Sequence, residues 1–493
     1  RLPTGPSARL SACSLACGLA LALAGCATGP SFNKPSPAAP DDWTSWRSAD
    51  DALRTTVGNA RALPPDWWRA FGDPTLDRLV QRAFLASPDL RTAMLHFAQA
   101  RAQRATVEAQ RGPLVDATGG AVRQRQSEHG AGTRMIDVIG GDRSTLAQAL
   151  SAPFTLYQMG FDASWEPDLW GRVRRAVEAA DADVSGQAAL LDLARLSLVS
   201  DVARSYFELR TTQRQIRLAR EDIAALEDRE GLLQARVNGG VADHLDLERQ
   251  RAELTAVKAR LPELLAQAGV SANQIALLLG ERPGALRDEL AAAPDGPTVL
   301  PDLALGLPSE VALRRPDIRA AEARLHRATA SIGVARAELY PSIRLGARFG
   351  YESYLNGEFS AWGSRAWSIG PTLALPLFDR GRRKSVVQLR ELEQQEAAVD
   401  YQKTVLKAWQ EIDDALSGFT AEQQQERALQ ARMHSAGQAY ELARARYDAG
   451  VADFLSVLDG QRGYLQARRD LAASEGRLGT RYVMVNKAIG NVP

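Results

Sequence analysis

One segment of this chain is written twice. Ala235-Arg236-Val237-Asn238-Gly239-Gly240-Val241-Ala242-Asp243-His244-Leu245 returns as Ala445-Arg446-Tyr447-Asp448-Ala449-Gly450-Val451-Ala452-Asp453-Phe454-Leu455, an offset of 210 residues (445 less 235). The same offset pairs Gly160 with Gly370, Gly171-Arg172 with Gly381-Arg382 and Gly280 with Gly490, so residues 160 to 280 align with the second copy without net insertion. Upstream, Pro88-Asp89-Leu90-Arg91 matches Pro316-Asp317-Ile318-Arg319 and Pro113 matches Pro341, at an offset of 228. The 18-residue difference falls between 113 and 160, and Ser127 to Ser144, rich in Gly, Ser and Arg, reads as a loop of variable length. A repeat this long constrains the fold strongly, because each copy must form the same succession of elements.

Within each copy the periodicity changes in the same order. Pro88-Asp89 and Pro316-Asp317 place proline at a first helical position with an acid beside it, where free amides and the helix dipole favour negative charge. Helices to about Gln110 and Leu339 follow, and after Pro113 and Pro341 the period becomes two. Ile343, Leu345, Ala347, Phe349 and Tyr351 alternate with Ser342, Arg344, Gly346, Arg348, Gly350 and Glu352. Trp367, Ile369, Leu373 and Leu375 alternate in the same way, as do Tyr157, Met159, Phe161, Ala163 and Trp165, whereas Leu114 to Arg125 alternates poorly. Asn356-Gly357 supplies turn chemistry between the last two strands. Four strands of about ten residues have the length a tilted strand needs to cross a bilayer. The same periodicity also fits a soluble sheet packed on helices, but arginines on one face and aromatics on the other favour a barrel with a polar lumen. Four strands cannot close one, since membrane barrels begin at about eight, so several chains would have to share it.

Gly171 to Asn238 and Gly381 to Asp448 contain no proline and carry apolar stripes in steps of three and four, such as Val405, Trp409, Ile412, Leu416 and Phe419. Helices of about 65 residues reach roughly 100 Å. Gly240 and Gly450 end them in the left-handed conformation glycine tolerates, and Asp243 and Asp453 read as N-caps of return helices running to Gly280 and Gly490. Pro262 predicts a kink or break in the first return helix. The expected organisation is a signal peptide at 1–25, a lipidated N-terminus and equatorial segment at 26–86, a first repeat at 87–280, an equatorial linker at 281–314 and a second repeat at 315–490. The strands are expected at about 113–126, 154–166, 341–353 and 366–378.

The N-terminal reading rests on Arg1 and Arg9 ahead of an apolar stretch from Leu10 to Ala24, too short to span a membrane, which ends in Leu23-Ala24-Gly25-Cys26. Small residues before a cysteine resemble the bacterial lipoprotein processing signal. Cys26 would be acylated, and with Cys13 and Cys17 cleaved away no disulfide could form. Beyond this segment no run of 18 apolar residues occurs, so a membrane would be entered by lipid or by β-barrel. With 60 Lys and Arg against 59 Asp and Glu, no basic excess is available for nucleic acid.

These features together resemble a TolC-type outer-membrane factor of the lipoprotein branch, the OprM-like or NodT-type proteins. The most specific stretches are Leu307-Pro308-Ser309-Glu310-Val311-Ala312-Leu313-Arg314-Arg315-Pro316-Asp317-Ile318-Arg319-Ala320-Ala321-Glu322, Ser164-Trp165-Glu166-Pro167-Asp168-Leu169-Trp170-Gly171-Arg172-Val173-Arg174, and Ala276-Leu277-Leu278-Leu279-Gly280. The resemblance implies an α+β membrane protein: a homotrimer whose 12 strands, four per chain, form one outer-membrane β-barrel, continued by a long periplasmic α-helical barrel with a small mixed equatorial domain. It implies the passive exit duct of a tripartite efflux pump, with a periplasmic adaptor (membrane fusion protein) and an inner-membrane RND transporter as partners, outer-membrane lipid around it, and no cofactor beyond the covalent lipid on Cys26. The outer duct of a type I protein secretion system and a pore-free periplasmic coiled-coil scaffold remain as other readings.

Carried onto this sequence, the family's periplasmic gate falls on Leu455 as an apolar ring, on Asp459 with Arg462 as a polar one, and on Tyr447 at the approach. The chain departs from some relatives in having Ala452 and Ser456 there. On its residues alone, Leu455 reads more readily as core, and Asp459 with Arg462 could be an exposed surface pair. No catalytic constellation and no metal-binding spacing occurs among His96, His129, His244, His326 and His434, so no enzyme activity is expected.

Overall fold

The computed structural model describes residues 28–36, 39–54, 58–59, 64–130, 133–139, 142–292 and 300–493. Cys26 and the whole expected signal peptide lie outside the described residues. The first copy of the repeat runs α1 (Pro88–Glu108), β1 (Leu114–Gln124), β2 (Phe154–Trp165), α2 (Arg172–Asn238) and α3 (His244–Leu278). The second runs α4 (Pro316–Ala337), β3 (Ser342–Ser353), β4 (Arg365–Ala374), α5 (Arg382–Asp448) and α6 (Phe454–Ala488). The long helices are 67 residues each and the return helices 35 each. Glycines an offset of 210 apart adopt matching left-handed backbones: φ is 73° at both Gly240 and Gly450, and 69° at both Gly280 and Gly490. The paired helices therefore end by the same local geometry, in which a side chain would meet steric strain.

Two compact units cut across both repeats. One gathers the residues up to Asn33, Arg101–Ala182 and His326–Glu396; the other gathers Lys34–Ala100, Asp183–Leu325 and Ala397–Pro493. In the first, the strands form an antiparallel sheet in the order β1-β2-β3-β4. Its register sorts the side chains into two faces. Met159 pairs with Gly119 and Tyr351, Phe161 with Ala117 and Phe349, and Phe349 with Trp367, which puts the aromatics on one face. The other carries Thr118, Gln158, Asp162, Arg344, Arg348 and Glu352, where Thr118 donates to Asp162 at 2.7 Å and Gln158 to Glu352 at 2.9 Å, and Arg348 lies 3.7 Å from Asp162. Apolar Val122 opposite Leu156 is an exception on this second face. The aromatic face is exposed, as at Phe161, Trp367 and Ile369. At the central seam Gly160 faces Gly350, and a Cβ on Gly160 would lie 2.6 Å from the Phe349 oxygen and 2.8 Å from the Gly350 Cα.

The second unit holds the main aromatic core. Trp67, Tyr206, Phe207, Phe419 and Tyr482 are buried, and the Tyr482 ring meets Trp67, Phe71 and Phe419 at centroid distances of 6.3, 5.0 and 6.3 Å. Each large side chain buried this fully contributes about 2–3 kcal/mol. The Tyr206 hydroxyl donates to Asp73, whose carboxylate also caps the helix Pro74–Ala86. Arg47 reaches Asp413 at 3.2 Å, fastening the N-terminal segment to α5. Burial would raise the Asp413 carboxyl, but hydrogen bonds from Ser48 and Arg47 outweigh it and hold the group below the usual range.

Four segments bear on these expectations. The stretch Ser127 to Ser144 is not a plain loop, because helices Arg134–Ile139 and Arg143–Leu150 lie in or extend from it, the second capped by Asp142. The strand Leu114–Gln124 forms despite weak alternation: adjacent Gly119 and Gly120 blur the pattern, but its pairing with β2 is continuous. Of the kink or break expected at Pro262, the break does not occur: the 35 residues of α3 run through the proline, whose ring sits at an exposed position where one lost amide hydrogen bond is tolerated. Asn356-Gly357 lies in a 3₁₀ turn at Asn356–Glu358, followed by another at Trp362–Ser364, between β3 and β4.

Candidate functional site

The two hairpin ends lie within the second unit and are built alike. Gly240 and Gly450 reverse the chain. Asp243 then accepts from the Leu245 amide at 2.9 Å, and Asp453 from the Ser456 amide at 3.0 Å and its hydroxyl at 2.6 Å. The Ser456 hydroxyl and amide hold the Asp453 carboxyl below the ordinary carboxylate range. Leu233, Val237, Leu247, Phe454, Val457 and Leu458 form a small core between the ends. The Tyr447 ring packs against Phe454 at 5.6 Å, with the Arg236 guanidinium 5.6 Å from its centroid.

The positions on α6 divide by face. Phe454, Val457, Leu458, Gln461 and Leu465 are buried, while Leu455, Asp459 and Arg462 are exposed and recur at the four- and three-residue steps of one helix face. Leu455 is thus not part of the core between the hairpins, at 38% exposure. Asp459 and Arg462 do not pair with each other: the Arg462 Nε donates to Glu253 on α3 at 2.6 Å. Asp459 has no ion-pair partner among the described residues.

The contacts that join the two hairpins were not singled out in the sequence. Arg229 on α2 donates to Gln461 on α6 at 2.7 Å and to the Tyr440 hydroxyl on α5. Tyr440 thus joins α5 to α2 within the chain. Farther along, Arg468 meets Glu221 at 2.8 Å and Asp222 at 3.1 Å, and Arg214 pairs with Glu475. Burial pushes the Asp222 carboxyl up against the pull of Arg468 and Arg469, and pushes Glu475 up against that of Arg214. Glu253 and Arg462 are 209 residues apart and Arg229 and Tyr440 are 211 apart, so for these two contacts the repeat offset carried a signal.

No group of three or more His, Cys, Asp or Glu positioned to hold a metal occurs among the described residues, and no helix there is long and apolar enough to cross a membrane. Residues 79–281 and 307–491 match the family described as outer membrane efflux protein. The chain belongs to that family. It is 33% identical over 447 residues to the outer membrane protein OprJ of Pseudomonas aeruginosa, covering 90% of this chain and 88% of OprJ. It is 32% identical over 473 residues to the pyoverdine export outer membrane protein OpmQ of Pseudomonas putida, covering 96% of each. Among solved structures, the outer-membrane channel OprN matches with a TM-score of 0.84 at 30% identity, covering 94% of this chain and 99% of that one. The open state of the Neisseria gonorrhoeae MtrE outer membrane channel matches with a TM-score of 0.77 at 28% identity, covering 94% and 98%. Family and fold thus agree on an outer-membrane protein that is mostly α-helical with a small four-stranded sheet.

Proposed function

We propose that this chain is the outer-membrane channel of a tripartite RND-type efflux pump, a passive exit duct for small molecules such as drugs and toxic compounds across periplasm and outer membrane. The observation that carries the reading is the sheet: four strands of 10 to 12 residues, one face aromatic and exposed, the other polar, with β1 and β4 as unpaired edges. Open edges are not tolerated in hydrocarbon, because every backbone donor and acceptor needs a partner there. Three copies joined edge to edge close a 12-stranded barrel, and the equal hairpins then line up as a helical barrel with a common rim. The names of OprJ's fellow relatives, among them a toluene efflux pump component of P. putida and the pyoverdine exporter, support small-molecule cargo.

The chain hydrolyses nothing in this reading. Transport is driven by an inner-membrane transporter through a periplasmic adaptor, and acylation of Cys26 anchors the chain to the outer membrane. The closed end is a constriction at Leu455 and Asp459, with Tyr447 at its approach. Since Arg462 is held by Glu253, the exposed Asp459 carboxylates are left uncompensated within each chain. Three of them around an axis attract cations and repel one another, while a leucine ring dewets the opening. Replacing Asp459 with Ala should raise single-channel conductance in planar bilayers and weaken cation preference; unchanged values in both would remove Asp459 from the gate.

A further inference from the structure

The segment from Thr28 to Phe32 is seated in a fitted slot of the first unit, and no part of the proposed duct function requires that slot. The Thr28 amide and hydroxyl both donate to the Trp170 carbonyl, at 3.1 and 3.0 Å. Arg175, which is buried, donates from Nε to the Thr28 carbonyl and from Nη2 to the Gly29 carbonyl, each at 3.3 Å. Gly29 crosses Gly333 of α4 at a distance that excludes side chains. A Cβ on Gly29, where φ is 95°, would lie 2.5 Å from the Gly333 Cα; one on Gly333 would lie 2.7 Å from Arg175 Cγ and 2.8 Å from the Thr28 oxygen. Phe32 then stacks on His326 at 4.2 Å, and Glu178 joins the two sides by accepting from Arg175 at 2.7 Å while lying 3.0 Å from His326 Nε2.

The slot has a defined level in the fold. Trp170 stacks on Tyr340 at 4.8 Å and donates from Nε1 to the Pro341 carbonyl at 2.6 Å, one residue before β3 begins. Aromatic pairs at the foot of membrane strands mark the lipid–water boundary. Thr28 is bonded to this residue and stands two positions after Cys26.

We propose that Trp170, Arg175, Glu178, His326 and Gly333 form an intramolecular receptor for Thr28–Phe32, a clasp that delivers the N-terminus to the foot of the sheet at the membrane boundary. The clasp is made of backbone hydrogen bonds and a glycine crossing, so it works without the lipid; its service as an anchor guide rests on the acylation of Cys26. Tail and anchor then act in series. The clasp fixes where the terminus emerges, and the acyl chains hold it there.

The test uses the full chain with Ser31, an exposed position, replaced by Cys and labelled with a nitroxide. The acylated Cys26 supplies no free thiol, and its acylation is read separately by intact mass. The label should be strongly immobilised in the parent and become mostly mobile in both Gly333→Val and Arg175→Met, the second leaving the backbone room of the slot intact. With Cys26→Ser behind an ordinary cleavable leader the spectrum should stay immobilised. A label mobile in the parent, or immobile in both slot variants of folded protein, overturns the clasp. So does mobilisation by Cys26→Ser alone, which would assign the tethering to the lipid. Absence of acyl mass would overturn the lipid reading, and an immobile label in the Cys26→Ser chain, whose only thiol is then the one at position 31, would leave the clasp standing.

Discussion

The two hairpins have the same lengths and the same turn geometry, yet their return helices live in different surroundings. Along α3 the buried residues are Leu247, Gln250, Leu254, Val257, Ser271, Ile275 and Ala276, whereas α6 buries side chains from Phe454 to Ala488 at nearly every turn. Equivalent positions show what was changed. Tyr482 at the centre of the aromatic core corresponds to Ala272, Arg462 to Ala252, and Arg432 to Asp222. Backbone length and turns were kept by the repeat, while side chains diverged to make one hairpin the packed member and the other its support. In the proposed duct the first property would give a level rim, and the second would let the two hairpins move unequally.

The comparison breaks most severely at the seam of the sheet. Gly160 and its equivalent Gly370 differ in that a Cβ on Gly370 meets nothing within 4 Å. Gly160→Val should abolish the heat-modifiable form on unboiled gels, and Gly370→Val should keep it. Next comes the core: Tyr482→Ala should destabilise by about 3–5 kcal/mol, read as a lowered denaturant midpoint, while Ala272→Gly costs far less, about 1 kcal/mol. The smallest effect concerns Asp222. Burial raises its carboxyl, so protonation favours the folded state; that contribution is complete below the unfolded carboxyl range and is lost as pH rises through the raised folded value. The parent should therefore gain relative thermal stability on acidification through that window, and Asp222→Asn should flatten the dependence.

The legible part of this molecule was whatever chain-local chemistry decides. Gly240, Gly280, Gly450 and Gly490 announced the helix ends because left-handed backbone has few alternatives, and Asp243 and Asp453 announced the caps because a free amide needs an acceptor next in sequence. Alternation exposed β3 at once, since arginine and aromatic residues differ sharply; β1 stayed faint because Ala117, Gly119 and Gly120 carry little contrast. What was hidden depends on neighbours. Asp459 and Arg462 are three apart and looked like a pair, but Glu253 competes for the arginine from the other hairpin. Tyr440, not singled out in the sequence, accepts a hydrogen bond from Arg229, while Tyr447 packs on Phe454 with the Arg236 guanidinium near its ring. Helix capping by Asp142 was likewise masked by the surrounding glycines.

The central claim is the proposed pore, whose closed end at Leu455 and Asp459 lies on hairpins joined by Arg462 on Glu253 and by Arg229 on Gln461 and Tyr440. Single-channel recording of the purified protein in planar bilayers, parent against Arg229→Ala with Arg462→Ala, tests it most directly. The account predicts small, cation-preferring conductance steps in the parent and several-fold larger steps in the double variant. A parent that never conducts, or a double variant whose steps equal the parent's, would contradict it.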